Sequence, residues 1–149
     1  MIQCEYRLLN TQDLSHLVHL YKQLQPNDPE LSDEVAQGVF TEITQSNHFF
    51  LLGAFQDDKL VASTYINVIP NLTRGASPYA VIENVITETA LHNQGIGKAL
   101  MHETLNFIWA KGCYKAMLLT GSSKESTHAF YRNCGFDGEA KSGYVAYPS

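Results

Sequence analysis

His92-Asn93-Gln94-Gly95-Ile96-Gly97-Lys98-Ala99-Leu100 is the stretch whose reading decides the fold. It lies between a segment of strand character, residues 79–87, and one of helical character, residues 95–111. Gly95 and Gly97 permit backbone conformations and close approaches that a Cβ forbids. The N-terminus of the adjoining helix offers unpaired N–H groups and a partial positive charge. The combination is an anion site best suited to phosphate. A tight strand-to-helix turn that binds nothing would carry the same two glycines. Counting excludes two phosphate motifs. A dinucleotide fingerprint needs a third Gly where Leu100 stands. A Walker loop needs Ser or Thr where Ala99 stands, and Gly where His92 stands.

Outward from this turn, the signals alternate between strand and helix. Residues 3–8 read as a short strand. Thr11 then caps a helix carrying Leu14, Leu17, Val18, Tyr21 and Leu24 at helical spacing. Pro26 and Pro29 break it, and Ser32 caps a second helix with the stripe Val35, Val39, Phe40 and Ile43. Residues 49–55 and 60–69 form a hairpin about Gln56-Asp57-Asp58-Lys59. A polar loop, residues 70–77, leads to the strand 79–87. The helix 95–111 has the stripe Ile96, Leu100, Phe107 and Ile108, and Gly112 ends it. Residues 114–120 read as a strand with Met117, Leu118 and Leu119 as its buried run. A last helix covers residues 123–133, and the tail 136–147 holds one or two short strands. The order β-α-α-β-β-β-α-β-α-β predicts a mixed sheet with helices on both faces. No linker separates two domains.

The chain has 149 residues, 44% hydrophobic and 17% charged, which suits one domain with a real core and excludes a disordered segment. Its net charge of -5 argues against a nucleic-acid partner. No apolar run approaches the roughly 20 residues of a membrane helix, so no membrane partner is expected. The first seven residues lack the basic flank and apolar stretch of a signal peptide. Cys4, Cys113 and Cys134 show no C-x-x-C spacing and read as reduced thiols of a cytosolic protein, hence a cytoplasmic localisation. His16 and His19 lack a third ligand, and His102-Glu103 lacks the second His of a zinc-protease helix, so no metal site is expected.

Three motifs in order along the chain resemble the GNAT superfamily of N-acetyltransferases. The glycine turn is similar to its acetyl-CoA pyrophosphate loop, which reads Arg or Gln, two variable residues, Gly, a variable residue, then Gly or Ala. Both glycines match, and His92 stands at the first position. Phe130, Tyr131, Gly135 and Phe136 match the family's Phe-Tyr, three variable residues, Gly, Phe or Tyr. The family's cofactor-contacting Asn, six residues before that Phe, is here Lys124. Ile82-Glu83-Asn84-Val85-Ile86-Thr87 resembles the strand along which members bind the pantetheine arm. Gly112-Cys113-Tyr114-Lys115 is similar to the start of the next strand in small-amine and amino-sugar members.

The resemblance implies an α/β (α+β) GNAT-type single domain, residues 1–149. Its central mixed, mostly antiparallel twisted sheet would have six to seven strands, with helices on both faces. It implies acetyl-CoA as co-substrate, bound by Val85, Ile86, Thr87, His92, Asn93, Gln94, Gly95, Ile96, Gly97, Lys98 and Ala99. Acetyl transfer needs a neutral amine, a polarised thioester carbonyl and a proton for the departing thiolate. Glu83, on the face of Val85 if the pairing is regular, is the candidate base, with Glu88, Asp137 and a water chain as competitors. Asn84 would then face the other way, as a structural residue. Tyr131 is the candidate acid, because a phenol holds its proton at pH 7. The acceptor is a small primary amine, bound by the loops 25–30 and 71–79 and the chain near Tyr144. A protein N-terminus or lysine, or a non-catalytic acyl-CoA sensor, are the alternatives. The resemblance also allows a homodimer.

Overall fold

The computed structural model describes residues 3–149. By its internal contacts the chain forms a unit up to Leu118 and a second, Leu119–Ser149. The first holds one mixed sheet in the order β1-β2-β3-β4-β5. These strands are β1 (Glu5–Leu8), β2 (Phe49–Gln56), β3 (Lys59–Ile69), β4 (Tyr79–Thr87) and β5 (Ala116–Met117). The first three pairings are antiparallel and β4 pairs with β5 in parallel. Three helices accompany it: α1 (Leu14–Leu24), α2 (Asp33–Thr44) and α3 (Ile96–Ala110). The second unit carries α4 (Glu125–Asn133). The hairpin turns at Asp57 and Asp58, both left-handed at φ 50° and 63°, as a two-residue hairpin with the twist of its strands requires.

Alternation along β2 and β3 sorts side chains between two helical layers. Leu52 pairs with Thr64 and Phe50 with Ile66, and this face meets α3. The Phe50 and Phe107 rings meet edge-on at 4.9 Å. The buried hydroxyls of Thr64 and Thr104 lie 2.8 Å apart, and Leu100, Met101 and Ile108 are almost wholly enclosed. On the opposite face Leu51, Phe55 and Ile86 pack with Leu17 and Leu20 of α1 and Phe40 of α2. Each such side chain contributes about 1.5–3 kcal/mol by leaving water.

β4 is irregular where function was expected of it. Tyr65 pairs with Glu83 and Ser63 with Ile86, so that Thr64 stands opposite two residues, Asn84 and Val85. This is a β-bulge, with Asn84 left-handed at φ 51°. The bulge exchanges the faces of the residues beyond it. Glu83 shares a side with Tyr65, and three residues later Ile86 enters the core on that same side. The regular pairing that would have aligned Glu83 with Val85 is therefore corrected, and Asn84 joins the α1–α2 side instead of the opposite one.

Other expectations are also corrected. Asn10, not Thr11, caps the start of the first helical segment: its side chain accepts from Gln12 N–H, while Asp13 accepts from Asn10 N–H. Ser32 does cap α2, but Val35 and Val39 are about half exposed while Ala36 and Phe40 are buried. The strand foreseen over residues 114–120 shrinks to Ala116–Met117, and Met117 and Leu119 are exposed. No strand forms over 136–147 among the described residues, where Gly138 and Gly143 interrupt the run. The sheet thus has five strands rather than six to seven, and the α/β class holds.

Candidate active site

The parallel β4–β5 ladder consists of Ala80 with Ala116 and Val81 with Met117. Beyond it, the β5-side edge of β4 is without a ladder from Ile82 to Thr87, while β3 still pairs through Ile86 and Thr87. An extended ligand can lie along such an edge as a missing strand would. Of the backbone donors expected there, Val85 and Thr87 are half-buried, and Ile86 sends its side chain into the core.

The glycine turn opens at His92, four residues after Glu88. His92 is exposed, yet its ring returns to the strand: Nε2 donates to the Thr87 carbonyl at 2.9 Å. A carbonyl only accepts, so that nitrogen carries the hydrogen. His92 thus fastens the turn to the end of β4. Asn93 and Gly95 are left-handed, at φ 64° and 83°. Gly95 takes the N-cap position with no side-chain cap. The first helical hydrogen bond runs from Ala99 N–H to the Gly95 carbonyl at 3.0 Å. The N–H groups of Ile96, Gly97 and Lys98 therefore have no helical acceptor. Ile96 anchors the turn from below at 3% exposure, and Gln94 and Lys98 stay exposed. This donor set fits a pyrophosphate. A cleft of about 960 Å³ is lined on one side by Gln94, Gly95, Ile96 and Ala99 of the turn and also by Glu5, Asp57 and Asp58, whose carboxylates repel phosphate.

Glu83 is exposed on β4, one residue before the bulge. Its competitor Glu88 is engaged by α1: Gln23 Nε2 donates to Oε1 at 2.9 Å, and His19 Nε2 lies 3.8 Å from Oε2. Oε2 itself is buried and makes no hydrogen bond. Gln23 Oε1 in turn accepts from the Thr89 N–H and hydroxyl. Asp137, the other competitor, accepts from Glu139 N–H.

Sequence reasoning missed a cavity of about 400 Å³ between α1, α2 and the sheet. Its polar lining is Tyr21, Tyr65, Asn84 and Glu42, among apolar side chains that include Leu31, Val39 and Phe49. Burial pushes the Tyr21 hydroxyl up to about 12, although its hydrogen bond with Asn84 pulls the other way. Burial and the Glu42 charge raise Tyr65 as well. Both phenols therefore stay neutral at physiological pH. The available signal was phenol-bearing residues at inward positions of a helix stripe and a strand. Of the loops expected to hold an acceptor, 25–30 ends one residue before Leu31. Loop 71–79 contains left-handed Arg74, Gly75 and Ala76, with the Arg74 guanidinium 5.6 Å from the Tyr114 ring centre.

In the second unit, α4 ends in a Schellman cap. Gly135 is left-handed at φ 98°; its N–H donates to the Arg132 carbonyl, and Phe136 N–H donates to the Tyr131 carbonyl. The rings of Tyr131 and Phe136 meet at 6.0 Å, and those of Phe130 and Tyr131 at 5.1 Å. The Phe-Tyr…Gly-Phe motif is thus a helix stop that locks the Tyr131 ring. Burial raises the Tyr131 hydroxyl above its usual range and nearby Cys134 adds to this, so the phenol keeps its proton at neutral pH. Tyr144 is exposed.

An uncapped helix N-terminus behind a glycine turn, at the end of a strand with an open edge, makes a site for an extended ligand that carries a phosphate. Residues 13–136 match the acetyltransferase (GNAT) family. The chain belongs to that family and is an N-acetyltransferase of it. A protein from Agrobacterium tumefaciens assigned as an acetyltransferase superposes with a TM-score of 0.92 at 37% identity, covering 97% of this chain and 99% of its own. The glucosamine 6-phosphate N-acetyltransferase of Trypanosoma brucei brucei is 27% identical over 144 residues, 91% of this chain and 90% of its own. An aminoglycoside N-acetyltransferase in complex with CoA shares the fold, with a TM-score of 0.81 at 21% identity over 99% of this chain and 95% of its own.

Proposed function

We propose that residues 1–149 act as a single N-acetyltransferase domain that moves an acetyl group from acetyl-CoA to a primary amine of a small molecule by direct attack. The observation that carries this is the left-handed Asn93–Gly95 turn, which delivers the unpaired N–H groups of Ile96, Gly97 and Lys98 beside the open edge of β4. Those groups hold the pyrophosphate, and Val85 to Thr87 hold the pantetheine arm and the thioester carbonyl. Bound there, acetyl-CoA supplies the carbonyl carbon that is attacked. The amine nitrogen forms the C–N bond as the C–S bond breaks. Glu83 takes the amine proton, directly or through water. Tyr131, whose phenol is protonated, gives its proton to the departing sulfur. A cavity of about 400 Å³ favours a small acceptor over a protein lysine.

Gly97→Val tests the first requirement by placing a branched side chain where the pyrophosphate approaches. Calorimetry should show acetyl-CoA affinity falling while thermal melts show an intact fold. Unaltered affinity in the folded variant refutes this cofactor site. Thiol release from acetyl-CoA over a panel of amines, amino sugars, amino acids and peptides tests the reaction itself.

A further inference from the structure

The cavity beneath α1 and α2 has the chemistry of a specificity pocket. Most of its wall is apolar, and among the described residues its one charged side chain is Glu42. Val39 and Leu31, at 48% and 55% exposure, leave apolar surface in water on that wall. Asn84 belongs to the cavity and immediately precedes Val85, the first residue expected to face the thioester. A molecule filling the cavity would therefore bring its near end to the reacting strand at the bulge. Hydroxyls of a sugar buried among Leu14, Val18, Val39 and Phe49 would find few partners, and a phosphate would meet the Glu42 carboxylate.

We propose that this cavity holds the body of the acceptor, and that the acceptor is a primary amine on an uncharged aromatic or branched aliphatic frame: an arylalkylamine rather than an amino sugar or a phosphorylated amine. This rests on the acetyltransferase reading above. The apolar body lies against α2. The cationic amine is drawn in by Glu42, and Tyr21 and Asn84 mark the polar end at β4, where the amine is deprotonated.

The test compares 2-phenylethylamine and 3-methylbutylamine with glucosamine and glucosamine 6-phosphate, by thiol release at saturating acetyl-CoA. The apolar amines should lead in kcat/KM by about tenfold or more. Val39→Asn, at a half-exposed position, should raise the KM for 2-phenylethylamine about tenfold with kcat and acetyl-CoA affinity little changed. Leu31→Asn should do the same, and serves if Val39→Asn folds poorly. Methyl resonances of Val39 and Leu31 should shift on titration with 2-phenylethylamine, whether or not turnover is seen. Preference for the amino sugars, or methyl resonances that do not move, overturns the pocket assignment and leaves the acetyltransferase reading standing. No thiol release with any amine, together with no acetyl-CoA binding, overturns both.

Discussion

The two faces of the sheet are made by the same strands and finish differently. Under α3 the packing is closed: Ile66, Ile82, Leu100, Met101 and Ile108 are at 1% exposure or less, and the two threonine hydroxyls there are paired. Under α1 and α2 a cavity of about 400 Å³ remains, edged by phenols and an asparagine. Two residues account for much of the difference. Asn84 interrupts the alternation of β4, and Val39 of α2 lines the cavity with about half of its surface still in water. A closed face makes stability; an open one, on the same scaffold, makes room for chemistry.

Substitutions should therefore change different quantities on the two sides. The largest effect is expected on the open side. Glu83→Gln should lower kcat by about 10²–10⁴-fold, most at low pH, and spare acetyl-CoA binding. A loss confined to the acceptor's KM would make Glu83 an amine-binding group instead. On the closed side Leu100→Ala should cost about 2–5 kcal/mol in urea unfolding, because the cavity it leaves cannot collapse. Tyr65→Phe across the sheet should cost under about 1 kcal/mol, and equal losses would erase the distinction between the faces.

A smaller effect tests the threonine pair. Thr104 donates its hydroxyl to the Leu100 carbonyl, so Thr64 must donate to Thr104. Thr104→Val strands the Thr64 hydroxyl and should cost about 1–3 kcal/mol, and adding Thr64→Val should recover part of it. A further small effect concerns the fastening of α1. Burial raises the Asp13 carboxyl, but the Arg7 guanidinium at 2.7 Å and the Asn10 N–H outweigh it and hold it below the usual carboxylate range. A depressed native value stabilises above the ordinary pKa and loses its contribution as pH falls through the native one. Asp13→Asn should then cost about 1 kcal/mol at pH 7, with the two unfolding curves converging in the acid range below about pH 4.

Features that rest on local chemistry are legible in the sequence. The glycine turn is one, since a left-handed residue between strand and helix calls for Gly95 itself. The Schellman stop around Gly135 is another, and so are the Asp57-Asp58 hairpin and the Ser32 cap. The cavity is not legible, because it depends on a bulge that no residue type announces and on how far α2 rolls. The role of His92 is hidden for a related reason: its partner is a backbone carbonyl, which has no letter of its own. The short β5 shows the same limit, since its apolar run Met117-Leu118-Leu119 predicts burial that its neighbours do not supply.

The bulge at Asn84 also bears on how such a site is inherited. Its effect comes from a number of residues more than from their identity. Deleting one residue between Glu83 and Ile86 would restore an unbroken ladder with Ile86 still opposite Ser63, but the single residue left opposite Thr64 would take the α3 side, and the cavity would lose the side chain that Asn84 now gives it. Replacing Asn84 by another residue that tolerates a left-handed conformation would preserve the arrangement. Chains that keep this spacing can diverge widely at the letters and retain the open face. A single lost codon here would remove it while leaving almost the whole text intact.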